Sequence, residues 1–155
     1  MIQNNKMTHT ELIERGAKWL KNSGIGFQRF PLVITELRTF ASEIPDIIGF
    51  NNACSVVVEC KASLSDFKAD QKKQHRNFVN KLGQMRCYLC PVGLVRKKDV
   101  PEGWGLLYAH DNKITIEVEP PFHSDDGIRW AEYHILYSIA RRALAKGFMP
   151  KILEG

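Results

Sequence analysis

Long apolar runs are missing from this sequence. The longest, such as Val56-Val57-Val58, are strand-sized and far short of the roughly 20 residues that cross a bilayer, so no membrane partner is expected. An Arg-flanked apolar opening is missing too: residues 1–7 are polar, and a helix start already follows at residues 8–11. The expectation is an intracellular protein without a secretory leader. Cysteine is sparse. Four thiols do not make a disulfide scaffold, and a reducing cytoplasm keeps them reduced. Cys87 and Cys90 form a lone CxxC, while the spacing of Cys54 and Cys60 matches no common zinc module, which leaves buried core thiols as the better reading. There is no internal repeat and no low-complexity linker. With 155 residues, 44% of them hydrophobic, the chain can build a core unaided, and a single domain over 1–155 follows.

What is present in excess is positive charge. A formal net charge of +5 permits anionic partners without requiring them. Lys68, Lys72, Lys73, Arg76 and Lys81 crowd one expected helix, where they are either a solvated face or phosphate contacts. Arg141, Arg142, Lys146 and Lys151 crowd the C-terminal end, where compensation of a helix dipole is the alternative to phosphate contact.

Periodicity divides the chain into alternating elements. Thr8 and Glu11 have capping-box spacing, and Leu12, Ile13, Gly16, Ala17 and Leu20 recur at helical intervals up to Gly24. Phe30, Leu32, Val33, Ile34, Leu37 and Phe40 predict a strand that Pro31 delays or kinks. Residues 45–50 form a second strand, Asn51-Asn52 a turn, and residues 54–61 a third strand rich in valine. A helix follows from Ser63 to about Leu82, then a strand over 85–91, a polar connection over 95–103, and a strand pair over 104–110 and 113–119. A last helix, capped by Asp125 or Asp126, carries Ile128, Ala131, Ile135, Ile139 and Ala143 on one stripe and stops at Gly147. The order is αβββαβ, then two strands and a helix. This is an α/β fold with a mixed central sheet flanked by helices, because the second helix bridges strands that must then pair in parallel.

Chemistry is concentrated on the third strand. Residues of a strand alternate faces, so Glu59 and Lys61 share one side while Val58 and Cys60 share the other. A carboxylate and an ammonium thus end a run of valines where burial is expected, and a bare ion pair compensates burial poorly. A divalent cation changes that balance. Mg²⁺ takes one or two carboxylates and completes its octahedron with water and phosphate oxygens. Asp46 can supply the second carboxylate to Glu59, the Cys60 carbonyl a further oxygen, and Lys61 can position or help deprotonate an attacking water. The competing reading is a salt bridge at the sheet's edge. Glu36 is either an additional metal ligand or the partner of Arg38, with which it shares a strand face. Glu11 and Glu14 lie off the apolar face of the first helix and are expected in solvent. On the second helix Phe67, Gln71, Gln74, Phe78 and Leu82 form one stripe, so Gln71 either pairs with backbone or, like Lys72, reaches the site or the substrate.

Pro45-Asp46, twelve further residues, then Glu59-Cys60-Lys61 on a β-rich strand resembles the PD-(D/E)xK nuclease superfamily. Within it, the chain is most similar to MmcB-like DNA repair proteins, through Glu59-Cys60-Lys61, Ser63, Asp66-Phe67, Asp70, Lys72, Pro91 and the segment 101–107. The residues before the second strand depart from that branch: Ile44-Pro45-Asp46 stands where Arg-Ala-Asp is usual. The resemblance implies a restriction-endonuclease-like core and a Mg²⁺- or Mn²⁺-dependent deoxyribonuclease acting in DNA repair, recombination or phage DNA processing. Asp46, Glu59 and Lys61 would be catalytic, and Lys68, Gln71, Lys72 and Arg76 would contact DNA. A cytoplasmic, nucleoid-associated location is expected with it. Two other readings stay open: a DNA-binding scaffold that does not cut, and a nuclease directed at RNA. A homodimer is a further expectation, since small nucleases often pair to cut both strands.

Overall fold

The structure is a computed structural model that describes residues 6–36, 45–74 and 82–148. Leu37, Arg38, Phe40, Arg76, Phe78, Lys81 and Lys151 lie outside the described residues. Helix α1 (His9–Asn22) begins as its spacing requires: the Thr8 hydroxyl accepts from the Glu11 N–H, and the Glu11 carboxylate accepts from the Thr8 N–H. It is followed by strands β1 (Leu32–Thr35), β2 (Ile47–Phe50) and β3 (Ser55–Cys60), helix α2 (Leu64–Gln74), and strands β4 (Met85–Pro91), β5 (Gly105–Ala109) and β6 (Ile114–Val118). Helix α3 (Asp126–Ala145) is last, with the Asp125 carboxylate capping it through the Ile128 N–H. The polar connection between β4 and β5 holds a short 3₁₀ turn, Lys97–Asp99.

The six strands form one sheet in sequence order. β1, β2 and β3 are antiparallel, β3, β4 and β5 are parallel, and β6 returns antiparallel. The mixed sheet is therefore as the element order requires, with the parallel crossover running through α2. Asn51 makes the β2–β3 turn, its side-chain carbonyl accepting from the N–H groups of Ala53 and Cys54.

Side-chain alternation assigns each face its cover. Val56, Val58 and Cys60 of β3, with Cys87 and Leu89 of β4, pack with Leu12, Ile13 and Leu20 of α1. On the other face Val57 joins Ile48 and Phe50 beneath Ala131 and Ile135 of α3, while Tyr88, Cys90 and Leu106 lie beneath Phe67 of α2. With both faces covered, β3 and β4 are buried along nearly their whole length, which explains their unbroken apolar runs. Helix α1 lies very close to the sheet. A Cβ on Gly16 would stand 2.7 Å from Ile47 Cδ1 and 2.8 Å from Leu89 Cδ2, so only glycine allows this approach without displacement.

Three boundaries differ from the sequence expectation. β1 ends at Thr35, and Glu36 turns into the left-handed region (φ 50°) with its side chain in solvent. Glu36 therefore lies on no strand face, the pairing with Arg38 falls outside the described residues, and the link of Glu36 to the site is through backbone: its N–H donates to the Asp46 carbonyl at 3.0 Å. Asp46 sits just before β2 rather than within it. Leu82 is not helical; it packs against the α3 layer and so does not extend the α2 stripe.

Candidate active site

The β2–β3 register pairs Ile47 with Val58, which brings Asp46, one residue before β2, to the end of β3. The Asp46 Oδ2 accepts the Cys60 backbone N–H at 2.8 Å, fixing the carboxylate against β3. The same oxygen lies 3.2 Å from Nε2 of His9, in the first turn of α1. β3 and α1 thus converge on a carboxylate carried just before β2, and its side chain is 18% exposed.

Lys61 follows β3 directly and is held by its own N–H, which donates to the Leu89 carbonyl at 2.9 Å. Its ammonium is buried between two acids, with Glu59 Oε2 at 3.6 Å and Asp70 Oδ1 at 3.1 Å. The expected placement of Glu59 and Lys61 on one face is what the structure has. Burial alone would lower the Lys61 pKa, but the carboxylates of Glu59, Asp70 and Asp46 outweigh it and raise the value above the ordinary range. Lys61 is therefore a fixed cation in this arrangement, suited to holding a water or an anion in place.

Asp70 is positioned in turn by Tyr88. The register of β3 with β4 sets Tyr88 beside Glu59, and its hydroxyl donates to Asp70 Oδ2 at 3.0 Å. The Tyr88 ring is fully buried, stacked on Trp104 (4.5 Å, 20°) and met edge-on by Phe67 (4.9 Å, 80°). This is a rigid mount for a carboxylate carried by a helix.

The remaining expected residues divide. Lys68 and Lys72 are exposed on α2, as phosphate contacts or a solvated face both require, and Arg76 lies outside the described residues. Gln71 takes the backbone alternative: its side-chain amide donates to the Asp99 carbonyl at 3.2 Å, tying α2 to the 3₁₀ turn. Glu11 is occupied by the helix cap, and Glu14 is in solvent. His9 and Tyr88 were not among the sequence expectations. A histidine inside a capping box and a tyrosine inside an apolar strand carry no local signal of a site. Asp70 was reached only through the family pattern.

The donor chemistry suits a hard cation. Glu59 and Asp70 contact one ammonium and Asp46 acts on it from nearby, and carboxylate oxygens in a partly buried place are the ligands that a hard divalent ion takes. Among the described residues no three His, Cys, Asp or Glu side chains converge into a ready-made cage. Magnesium does not need one, because it keeps several waters and binds through one or two carboxylates. Burial, with Asp46 and Glu59 adding to it, pushes the Cys60 thiol well up, and burial lifts Cys90 to about 11, so both are protonated thiols at neutral pH. No described helix is long and apolar enough to cross a membrane.

No family model matches the chain, and no curated protein matches it. Among solved structures the fold is similar to the SPO1766 protein of unknown function from Silicibacter pomeroyi. The TM-score is 0.62 at 21% identity, covering 88% of this chain and 90% of that one. This likeness concerns the fold: a mixed α/β architecture with a central sheet flanked by helices.

Proposed function

We propose that the chain is a metal-dependent deoxyribonuclease built on a restriction-endonuclease-like core of the PD-(D/E)xK kind. The observation that carries this reading is the charge arrangement at the end of β3: Asp46 fixed against the strand by the Cys60 N–H, and Lys61 held as a buried cation beside Glu59 and Asp70. The order αβββαβ, with the antiparallel β1–β3 unit continuing into a parallel β4, supports it. Asp46 and Glu59 would hold Mg²⁺ or Mn²⁺, with the Cys60 carbonyl as a further oxygen. Bound there, the ion supplies a water of lowered pKa and a counter-charge for the phosphate. Lys61 would position or help deprotonate the attacking water and stabilise charge growing on the phosphate oxygens. Asp70 and Tyr88 orient Lys61. Lys68 and Lys72, exposed on α2, stand available to the phosphate backbone. A setting in DNA repair, recombination or phage DNA processing agrees with the family resemblance.

The test is a cleavage panel of single-stranded, duplex, nicked, branched and mismatched DNA, plus RNA, with Mg²⁺ or Mn²⁺. Cleavage of at least one DNA form is expected, falling at least about 100-fold in Asp46→Ala and Lys61→Ala, the scale on which removing one transition-state contact acts. Metal-independent DNA binding without cleavage of any substrate would establish the scaffold reading instead, and cleavage confined to RNA would reassign the substrate.

A further inference from the structure

A cleft of about 900 Å³ opens at the carboxyl ends of the parallel strands β3, β4 and β5, with Ala62, Pro91 and Ala109 among its lining residues. Its size is that of a ligand site, and its place is where parallel α/β sheets hold their ligands. It borders the candidate active site through two elements. Ala62 directly follows Lys61, and Met7, also in the lining, stands two residues before His9, whose ring meets Asp46. One side chain braces two of its walls. Arg15 of α1 donates to the Met7 sulfur at 3.2 Å and to the carbonyls of His110 and Lys113 in the β5–β6 turn, the latter at 3.3 Å. The turn is closed in addition by the His110 N–H, which donates to the Lys113 carbonyl at 2.8 Å. A cleft braced in this way is formed before its ligand arrives, which spares binding the entropy of ordering loops.

The lining divides by chemistry. Met7, Ala62, Pro91 and Leu94 are apolar and half-buried, while Lys6 and Lys113 are exposed beside them against a single acid, Asp111. We propose that this cleft holds an unpaired stretch of the DNA strand that leads to the scissile phosphate, with its bases on the apolar wall and its phosphates on Lys6 and Lys113. The destination of that strand rests on the nuclease reading, which the cleft extends by favouring substrates with a single-stranded segment beside the cut. In a duplex the base faces are stacked on one another and hidden from any wall, so only an unpaired strand uses both halves of the lining. A small anion would engage the lysines alone, and an uncharged apolar ligand the wall alone.

The test is fluorescence anisotropy of short labelled oligodeoxynucleotides titrated with the full chain in EDTA over a salt series. Each phosphate contact to a single strand adds about 0.7 to the slope of log affinity against log salt. Lys6→Ala and Lys113→Ala should each lower the slope by about that amount, and the double variant by about twice as much. Lys21→Ala, which removes an exposed lysine from the last turn of α1, should leave the slope unchanged. An oligonucleotide of abasic positions keeps every phosphate and should bind about tenfold more weakly than its thymidine counterpart, through the lost base contacts. Without metal the series reads the cleft apart from cleavage, so these results in a chain that cuts no substrate would count against the nuclease reading and leave the cleft as a single-strand site. An unchanged slope in the double variant, equal binding of abasic and intact strands, or a duplex that loses as much slope as the single strand overturns the proposal. So does a tighter hold on the matching oligoribonucleotide, which would give the cleft to RNA.

Discussion

Asp70 carries its Oδ1 to within 3.1 Å of the Lys61 ammonium, a helix residue meeting the residue that follows the central strand β3. That contact compensates a charge that the fold has otherwise taken out of water. Asp70→Asn keeps the size of the side chain and an acceptor for Tyr88 but removes the charge, and is expected to destabilise by about 1–3 kcal/mol, read as a lower urea midpoint. Adding Lys61→Met should recover part of the loss, since the buried ammonium that Asp70 compensates is then gone. A double variant as unstable as the sum of the two single changes would mean that the pair is not coupled.

His9 meets Asp46 at the surface, so His9→Ala should change stability by less than about 1 kcal/mol. Its effect should appear in metal dependence instead. A group that orients a ligating carboxylate typically affects metal affinity by about 10-fold or more, so the Mg²⁺ concentration for half-maximal cleavage is expected to rise by about that factor. An unchanged metal titration would remove His9 from the site.

Glu132 accepts a hydrogen bond from the Ser55 hydroxyl beside the start of β3. Burial raises its pKa, and the hydrogen bonds from Ser55 and the Gly83 N–H lower it by less. The folded pKa therefore exceeds the unfolded value of 4.5, so the contribution of Glu132 is fully present below that pH and is lost as pH rises through the folded pKa. Glu132→Gln should unfold at a temperature similar to the wild type near pH 4 and at a higher one near pH 7. A difference independent of pH would contradict the assignment.

Gly16→Ala should gain about 1 kcal/mol of helix propensity and lose about 1–3 kcal/mol to crowding against Ile47 and Leu89. A net loss near 1 kcal/mol is expected in thermal melts. Ile47→Val removes the closest atom and should restore part of it.

The sequence exposed the fold wherever the pattern was local and unopposed. The capping box placed the start of α1, and the apolar run over 85–91 coincided with β4. The pairing of Glu59 with Lys61 followed from alternation alone. The rest depended on contacts far apart in the chain. Asp46 and His9 are 37 residues apart and meet only once α1 has docked on the sheet; Tyr88 and Asp70 meet only because α2 lies over β4. Glu36 was misplaced because alternation assumes an unbroken strand, and its positive φ breaks the face assignment at that residue. Gln71 was decided by a neighbour, the Asp99 carbonyl, whose position the spacing of α2 does not encode.

Cys54, Cys60, Cys87 and Cys90 are all buried thiols with raised pKa values. An alkylating reagent at neutral pH therefore meets neither an accessible sulfur nor a thiolate while the chain is folded. Labelling must wait for an opening event, so its rate reports how often the strands come apart. With two of these thiols at β3 and two on β4, the protein carries an intrinsic clock for the separation of the strands on which the candidate site is built.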